Sequence, residues 1–353
     1  MIFIKFIRIT FCFLLILFST LFGQIKIKAV GDIMLGSVTP KTVLPADSGK
    51  TFVNNISKYL TDADIVFGNL EGTFILEHFQ PTKCTEPSRT MERCFEFGMP
   101  AYLAPVLKQL NFNILNIDNN HSNDYGFKGY DFTKQLLSEL NINYVGKKEP
   151  KKIFIRGKEI IIVPFGFSEI SYNVSDINNA KKVITELKTK SNLIIVSFHG
   201  GKEGRKALHV KNKTELMYGE NRGNLVKFSH AVIDAGADIV IGHGPHVLRA
   251  FELYKNRLIA YSLGNFLTYG NMNIDGVSGI AGILDVDINE ITGEFISGNF
   301  NSVQQVENGY PVIDDSFAGF NLIKKLTKDD FSETQLEFIG NGQLINKPPL
   351  GGL

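Results

Sequence analysis

Five apolar runs in this chain each end in side chains of the kinds that can bind metals or move protons, and this recurrence constrains the fold more than any single motif does. Residues 25–30 lead into Gly31 and Asp32, residues 64–68 (DIVFG) into Asn69, Leu70 and Glu71, and residues 112–117 (FNILNI) into Asp118, Asn119, Asn120 and His121. Residues 192–198 (NLIIVSF) lead into His199, Gly200 and Gly201, and residues 237–241 (ADIVI) into Gly242, His243, Gly244, Pro245 and His246. Apolar runs of this length, rich in Ile and Val, read as strands. The stretches between them predict helices over 52–60, 101–110, 127–140, 176–189 and 219–235, the last stopped by Gly236. Strands alternating with helices define an α/β fold, in which ligands gather beyond the carboxyl ends of the strands. The polar strand ends are therefore expected to converge on one cleft.

After His246 the rhythm changes. Residues 247–253 and 258–262 flank a polar turn, and residues 279–288 precede a further β-rich run over 295–306, so antiparallel pairing and a second sheet are expected. No linker divides residues 24–335, which read as one domain. At 44% apolar and 21% charged residues, a chain of 353 can bury a large core. Residues 77–98 read as a polar insertion, and residues 336–353 as a tail that frays from Asn341.

At the N-terminus, Lys5 and Arg8 precede an apolar run over residues 9–22, the pattern of a secretory signal spanning residues 1–23. An uncleaved anchor is the alternative and the one membrane attachment envisaged, although a spanning helix needs about 20 apolar residues. Either way the folded part is expected outside the cytoplasm, in the periplasm, at the cell surface or secreted. Without Lys5 and Arg8 the chain keeps 35 basic against 36 acidic residues, a net charge of −1, so nothing calls for nucleic acid as a partner. In an oxidising compartment Cys84 and Cys94 are expected to close a disulfide loop. The competing reading, a pair of metal thiolates, lacks C-x-x-C spacing.

Asp32 follows a strand and a glycine, which suits a carboxylate reaching a cation but also an Asx-turn. Asn69 and Glu71, two apart in GNLEG, share one face of an extended segment. There Glu71 can bridge to a cation or act as a base, and Asn69 can face substrate. In NNHSNDYG the amide oxygen of Asn120 suits a divalent metal, His121 can protonate a leaving group, and Asp124 can orient that imidazole. His199 ends an apolar strand, with Glu203 placed to orient it or meet substrate. His243 and His246, three apart in a Gly/Pro turn, can serve one metal or two. Asn265 in YSLGNF is positioned to bond substrate or a ligand histidine, and Arg205, Lys206 and Arg222 could assist with an anionic substrate. His78, His209 and His230 lie in insertion or helical stretches and read as surface or helix residues. Ser262 has no G-x-S-x-G elbow, which excludes the usual serine-hydrolase arrangement, and no phosphate-binding P-loop is present.

Taken in order, GDIMLG, NLEG, NNHSNDYG, HGGKE, GADIVIGHGPHVL and YSLGNF resemble the capsule-biosynthesis CapA family of poly-γ-glutamate synthesis accessory proteins, over residues 28–330. That family is similar to calcineurin-like metallophosphoesterases. The resemblance implies a four-layer αββα sandwich, metallo-dependent phosphatase-like, with metal at its strand ends. It assigns Asp32, Glu71, Asn120, His199, His243 and His246 as ligands of one or two divalent ions (Mn, Fe or Zn), and His121 as the acid. Three positions depart from the pattern: Gly200 where a Trp is usual, Gly244 where a His is common, and Met34 where metallophosphoesterases carry a His. The implied role is to assist synthesis or export of an anionic surface polymer or its precursor, alongside a membrane-bound polymer synthase, by cleaving a phosphoester or amide. The alternatives are a non-catalytic polymer-binding subunit and a secreted phosphodiesterase or nucleotidase.

Overall fold

The computed structural model describes residues 23–347, so the expected signal lies outside the described residues. The strands are β1 Gln24–Met34, β2 Ile65–Leu70, β3 Thr73–Ile75, β4 Gly98–Pro100, β5 Ile114–Asn116, β6 Asn143–Val145, β7 Lys151–Ile155, β8 Lys158–Phe165, β9 Leu193–His199 and β10 Leu216–Met217. They continue with β11 Glu220–Asn221, β12 Ile239–His243, β13 Phe251–Tyr254, β14 Arg257–Ala260, β15 Asn265–Thr268, β16 Ile280–Asn289, β17 Phe295–Val306, β18 Tyr310–Ile313, β19 Leu336–Ile339 and β20 Gln343–Asn346. One large sheet runs β19-β20-β17-β16-β1-β2-β5-β6, with β15 also beside β1 and β18 beside β17; the other runs β13-β14-β12-β9-β8-β7. Each has a parallel centre (β1-β2-β5-β6 and β8-β9-β12-β14) extended by antiparallel strands. The late antiparallel strands thus do not make a sheet of their own. Strands β16 and β17 widen the first sheet, and the β13–β14 hairpin closes an edge of the second.

Period-two alternation explains the layers. Ile25, Ile27, Ala29, Ile65, Phe67 and Ile114 of the first sheet meet Ile160, Ile162, Ile195, Ile239 and Ile241 of the second in a core between the sheets. The intervening residues point outward. Val30, Val66 and Leu115 pack beneath helices Lys50–Ile56, Pro105–Gln109 and Gly126–Glu139, while Ile161, Val163, Ile194, Val196 and Val240 pack beneath Ile177–Leu187 and Leu225–Asp234. The result is a four-layer αββα sandwich. At about 25 cal/mol per Å² of apolar surface, both faces of each sheet contribute to stability, which accounts for strands that are apolar without interruption.

Two expectations are corrected here. The helix foreseen over 219–235 begins only at Leu225, because Gly219 and Gly223 adopt positive φ (82° and 91°) and residues 216–221 form the small β10–β11 hairpin. Residues 341–346 do not fray: β20 pairs with both β17 and β19 and buries Leu344. Cys84 and Cys94 are joined in a disulfide. Among the described residues no helix is long and apolar enough to cross a membrane.

Candidate metal centre

The site is the polar end of the inter-sheet core. Following the inward-facing column of each strand, Ile65 and Phe67 are succeeded by Asn69 and Glu71, Ile114 by Asn116, Ile195 by Ser197 and His199, and Ile239 and Ile241 by His243. His199 and His243 are register partners on adjacent parallel strands.

Asp32 needs a further device. In β1, Ile27 and Ala29 face the inter-sheet core, so unbroken alternation would send residue 32 outward beneath the helices. Between Ala29 and Asp32 the strand advances three residues while β2 advances only from Phe67 to Asn69, a β-bulge. The extra residue reverses the alternation, so Ile33 joins the outer core and Asp32 turns toward the histidines of the second sheet. Gly31 permits this because a Cβ there would lie 1.9 Å from the Gly264 carbonyl oxygen, whose acceptor is used by the Asp32 amide at 2.8 Å. Met34 is wholly buried in the outer hydrophobic core, so it offers the site nothing.

Three ligand atoms, one each from Asp32, Glu71 and His199, lie within 4.8 Å of one another, and all three residues are fully buried. His199 Nδ1 is 3.7 Å from Glu71 Oε2, His243 Nδ1 is 3.8 Å from Asp32 Oδ1, and His246 Nδ1 is hydrogen-bonded to Asp32 Oδ2 at 2.8 Å. His246 holds left-handed backbone (φ 58°), a conformation costing about 1 kcal/mol or more in a non-glycine residue. Both ring nitrogens of His199 and of His243, Oε1 of Glu71 and Oδ1 of Asn120 are buried without a hydrogen-bond partner. Leaving such groups unsatisfied costs about 1–3 kcal/mol each, and a cation among them would satisfy several at once.

Charge points the same way. Burial, reinforced by repulsion from Asp32, lifts the Glu71 carboxyl to about 8. Burial pushes the His243 imidazole down to about 4 and that of His199 well below its ordinary range, leaving both neutral and ready to ligate. For His246 burial also pushes downward, but the hydrogen bond and charge of Asp32 prevail and hold the imidazole up at about 10. One protonated histidine, His246, thus stands beside Asp32, while Glu71 holds its own proton at neutral pH. Carboxylate, amide and imidazole donors together suit Mn, Fe or Zn.

Other expected residues take different places. Asn69 turns to protein partners: its Nδ2 donates to Asp32 Oδ1 (2.8 Å) and Glu71 Oε2 (2.6 Å), and its Oδ1 accepts from Asn116 (2.9 Å) and Asn119 (3.1 Å). Every hydrogen-bonding position of this buried amide is spent on bracing the site. Glu203 does not orient His199, whose nitrogens it leaves unpartnered; it pairs with Arg222 at 2.9 Å. Arg222 is neutralised by Glu203 and Glu220 and stacks on Phe167, so it offers no free charge, whereas Arg205 and Lys206 are exposed. Asn265 donates to the carbonyls of Asn273 and Ser278, holding the loop beside β15, while its Oδ1 is buried without a partner. His209 and His230 pair with Asp330 and Glu252, and His78 packs on Phe79.

His121 lies beside the cluster, with Nδ1 at 2.7 Å from Asp124 Oδ2 and Nε2 at 4.0 Å from Glu71 Oε1. The sequence reading missed Lys83, 3.1 Å from Asp124 Oδ1, and Phe97, whose ring lies 4.4 Å from that of His121. Both belong to the 77–98 insertion, where polarity and the two cysteines were the only available signal.

A buried cluster of carboxyl and imidazole groups at the strand ends of an αββα sandwich is compatible with a divalent-metal site. Residues 26–269 match the family described as bacterial capsule synthesis protein PGA_cap, and the chain belongs to that family. It is 28% identical over 254 residues to the capsule biosynthesis protein CapA of Bacillus anthracis, covering 69% of this chain and 60% of that protein. To the PGA biosynthesis protein CapA of Bacillus subtilis (strain 168) it is 28% identical over 256 residues, 67% and 62% of the two chains. The chain therefore spans only about three fifths of those relatives. Among solved structures, a hypothetical protein of Thermus thermophilus is similar with a TM-score of 0.48 at 12% identity, covering 79% of this chain and 99% of that one. A purple acid phosphatase of yellow lupin gives 0.39 at 10% identity, covering 82% and 54%. Likeness at these levels carries no argument about activity.

Proposed function

We propose that this chain is an exported accessory protein of capsule or poly-γ-glutamate synthesis that holds a divalent metal and uses it to hydrolyse or transfer a phosphoester or amide of the polymer or its precursor. The observation that carries the metal is the set of buried, unpartnered donors around Asp32, Glu71 and His199. Asp32, Glu71 and His199 would hold one ion, Asn120 would add an amide oxygen, and His243 and His246, both beside Asp32, would serve a second. Bound there, a divalent cation supplies Lewis acidity and offsets the charge of an anionic substrate.

The rest falls to the chain's own groups. Asp124 accepts from His121 Nδ1, which leaves Nε2 directed toward Glu71 and able to exchange a proton with a leaving group. The packed Phe97 ring excludes water from one side of that imidazole. Capsule and poly-γ-glutamate synthesis stands in the names of the two Bacillus relatives and supplies the polymer context. The Cys84–Cys94 disulfide supports an extracytoplasmic location, where such bonds persist. Metal analysis of the purified protein, coupled to a screen of phosphoester, nucleotide and γ-glutamyl substrates, tests the reading. We expect at least one Mn, Fe or Zn per chain and a hydrolysis lost in both Asp32→Ala and His121→Ala. A protein without metal, or one whose every hydrolysis survives these changes, leaves the polymer-binding subunit; turnover of nucleotides with none of γ-glutamyl bonds points to a secreted phosphodiesterase.

A further inference from the structure

Asp124 is fully buried and gathers more contacts than orienting one histidine requires. Oδ2 takes His121 Nδ1 (2.7 Å) and the Phe97 amide (2.7 Å), Oδ1 lies 3.1 Å from Lys83 Nζ, and the Asp124 carbonyl accepts from the Thr82 amide (2.8 Å). Apart from His121, all these partners lie on the 77–98 insertion, one pair near its start and one residue at its end. The insertion is closed on itself by the Cys84–Cys94 disulfide and by Glu96, which accepts from the Cys84 amide (2.8 Å) and from Arg89 (2.7 Å). Lys83 is thus the neighbour of one bridged cysteine, and Phe97 lies three residues beyond the other.

We infer that Lys83 and Phe97 are positioning residues: the disulfide-closed strap clamps Asp124 from both sides and thereby fixes His121 as the Nδ1–H tautomer, with the Nε2 lone pair turned toward Glu71. The inference rests on the proposed role of His121 for its use, though not for its geometry. The Phe97 amide donates to Oδ2, and the Lys83 ammonium, 3.1 Å from Oδ1 and 3.4 Å from His121 Nδ1, holds the carboxylate against rotation away from the ring by charge and not by a hydrogen bond to Oδ1. The Phe97 face, tilted 35° to the imidazole, blocks the ring flip that would exchange Nδ1 and Nε2. Metal-ligand histidines are commonly held in one tautomer by a carboxylate; here the carboxylate itself is held, by a segment outside the parallel strands.

Nitrogen NMR of protein carrying 15N-labelled histidine, metal-free and zinc-loaded, tests this on wild type, Lys83→Met, Lys83→Arg and the Cys84→Ser/Cys94→Ser pair, with amide exchange at Phe97 and bound zinc per chain measured alongside. We expect one protonated Nδ1 and one unprotonated Nε2 for His121 in wild type and in Lys83→Arg. In Lys83→Met and in the double serine variant the two shifts should move toward each other and Phe97 exchange should quicken at least tenfold, with bound zinc unchanged. A protonated Nε2 in wild type overturns the inference, as does an unaltered tautomer and Phe97 exchange in Lys83→Met, a substitution that keeps the side-chain length and the disulfide. Failure of the metal reading shows separately, as wild type that binds no zinc.

Discussion

Replacing Asn69 by Ala removes the amide that joins the two site carboxylates to the loop after β5. Four hydrogen bonds go with it, two to Asp32 and Glu71 and two from Asn116 and Asn119, all among fully buried or nearly buried groups. Bonds to charged groups contribute about 1.5–3 kcal/mol each and amide–amide bonds about 0.5–1.5. With Glu71 protonated in the metal-free protein, the low ends of one charged and three neutral bonds together give about 3 kcal/mol. Asn119 keeps the Leu70 carbonyl (2.8 Å) and Asn116 the Asp118 carbonyl (3.3 Å), which softens the amide part. We therefore expect a loss of about 2–3 kcal/mol in the chelated protein, read as a lowered urea midpoint at constant m-value. The loss should shrink in metal-loaded protein, because a cation satisfies both carboxylates. A loss below about 1 kcal/mol in chelated protein, on the scale of an ordinary surface substitution, would refute the assignment of Asn69 as a brace and return it to the substrate side.

Arg249 is fully buried, with a bidentate pair to Glu215 at 2.9 Å, so Arg249→Met should cost about 3–5 kcal/mol of urea stability by stranding that carboxylate. Adding Glu215→Gln should recover part of the loss; no recovery would show that packing alone is at stake. His199→Ala should abolish the metal-dependent rise in stability, about 2.7 kcal/mol for wild type at a hundredfold excess over Kd, measured as thermal midpoints with and without zinc. A rise of equal size in the variant would remove His199 from the ligand set. Burial depresses the half-buried Lys147 ammonium to about 8 from its ordinary 10.5. Between those values the unfolded chain binds the extra proton, so stability should increase as pH rises from about 8 toward 10.5 and not increase further. Lys147→Met should flatten this part of the urea-midpoint profile, and an unchanged slope would place its origin elsewhere.

Much of this architecture is legible in the sequence because strand ends are marked twice, by the close of an apolar run and by the polarity that follows. Glu71, His199 and His243 come together because their strands lie parallel and their side chains continue inward-facing columns, and Asp32 joins them through the bulge in β1. Asn69, Glu203 and Asn265 take partners that spacing does not foretell for one reason: an amide or carboxylate at a strand end bonds equally well to a neighbouring backbone or side chain, and spacing cannot say which. Asn69 has four partners drawn from residues 32, 71, 116 and 119, a choice fixed only by sheet order. Nor does alternation alone aim Asp32 correctly, since the bulge that turns it is signalled only by Gly31. Lys83 was illegible because its partner, Asp124, is 41 positions away and reached through an irregular loop.

The change of partner along β1 gives that strand a mechanical property. Up to Ala29 it pairs antiparallel with β16, and from Asp32 it pairs parallel with β15, with the bulge between. A rigid strand would transmit any slip in the β16 wall straight to Asp32, because one residue of slip exchanges the two faces of a sheet. Here the bulge works as an expansion joint. The outer half can drift in composition while the Gly264 carbonyl and β15 keep Asp32 where the histidines need it.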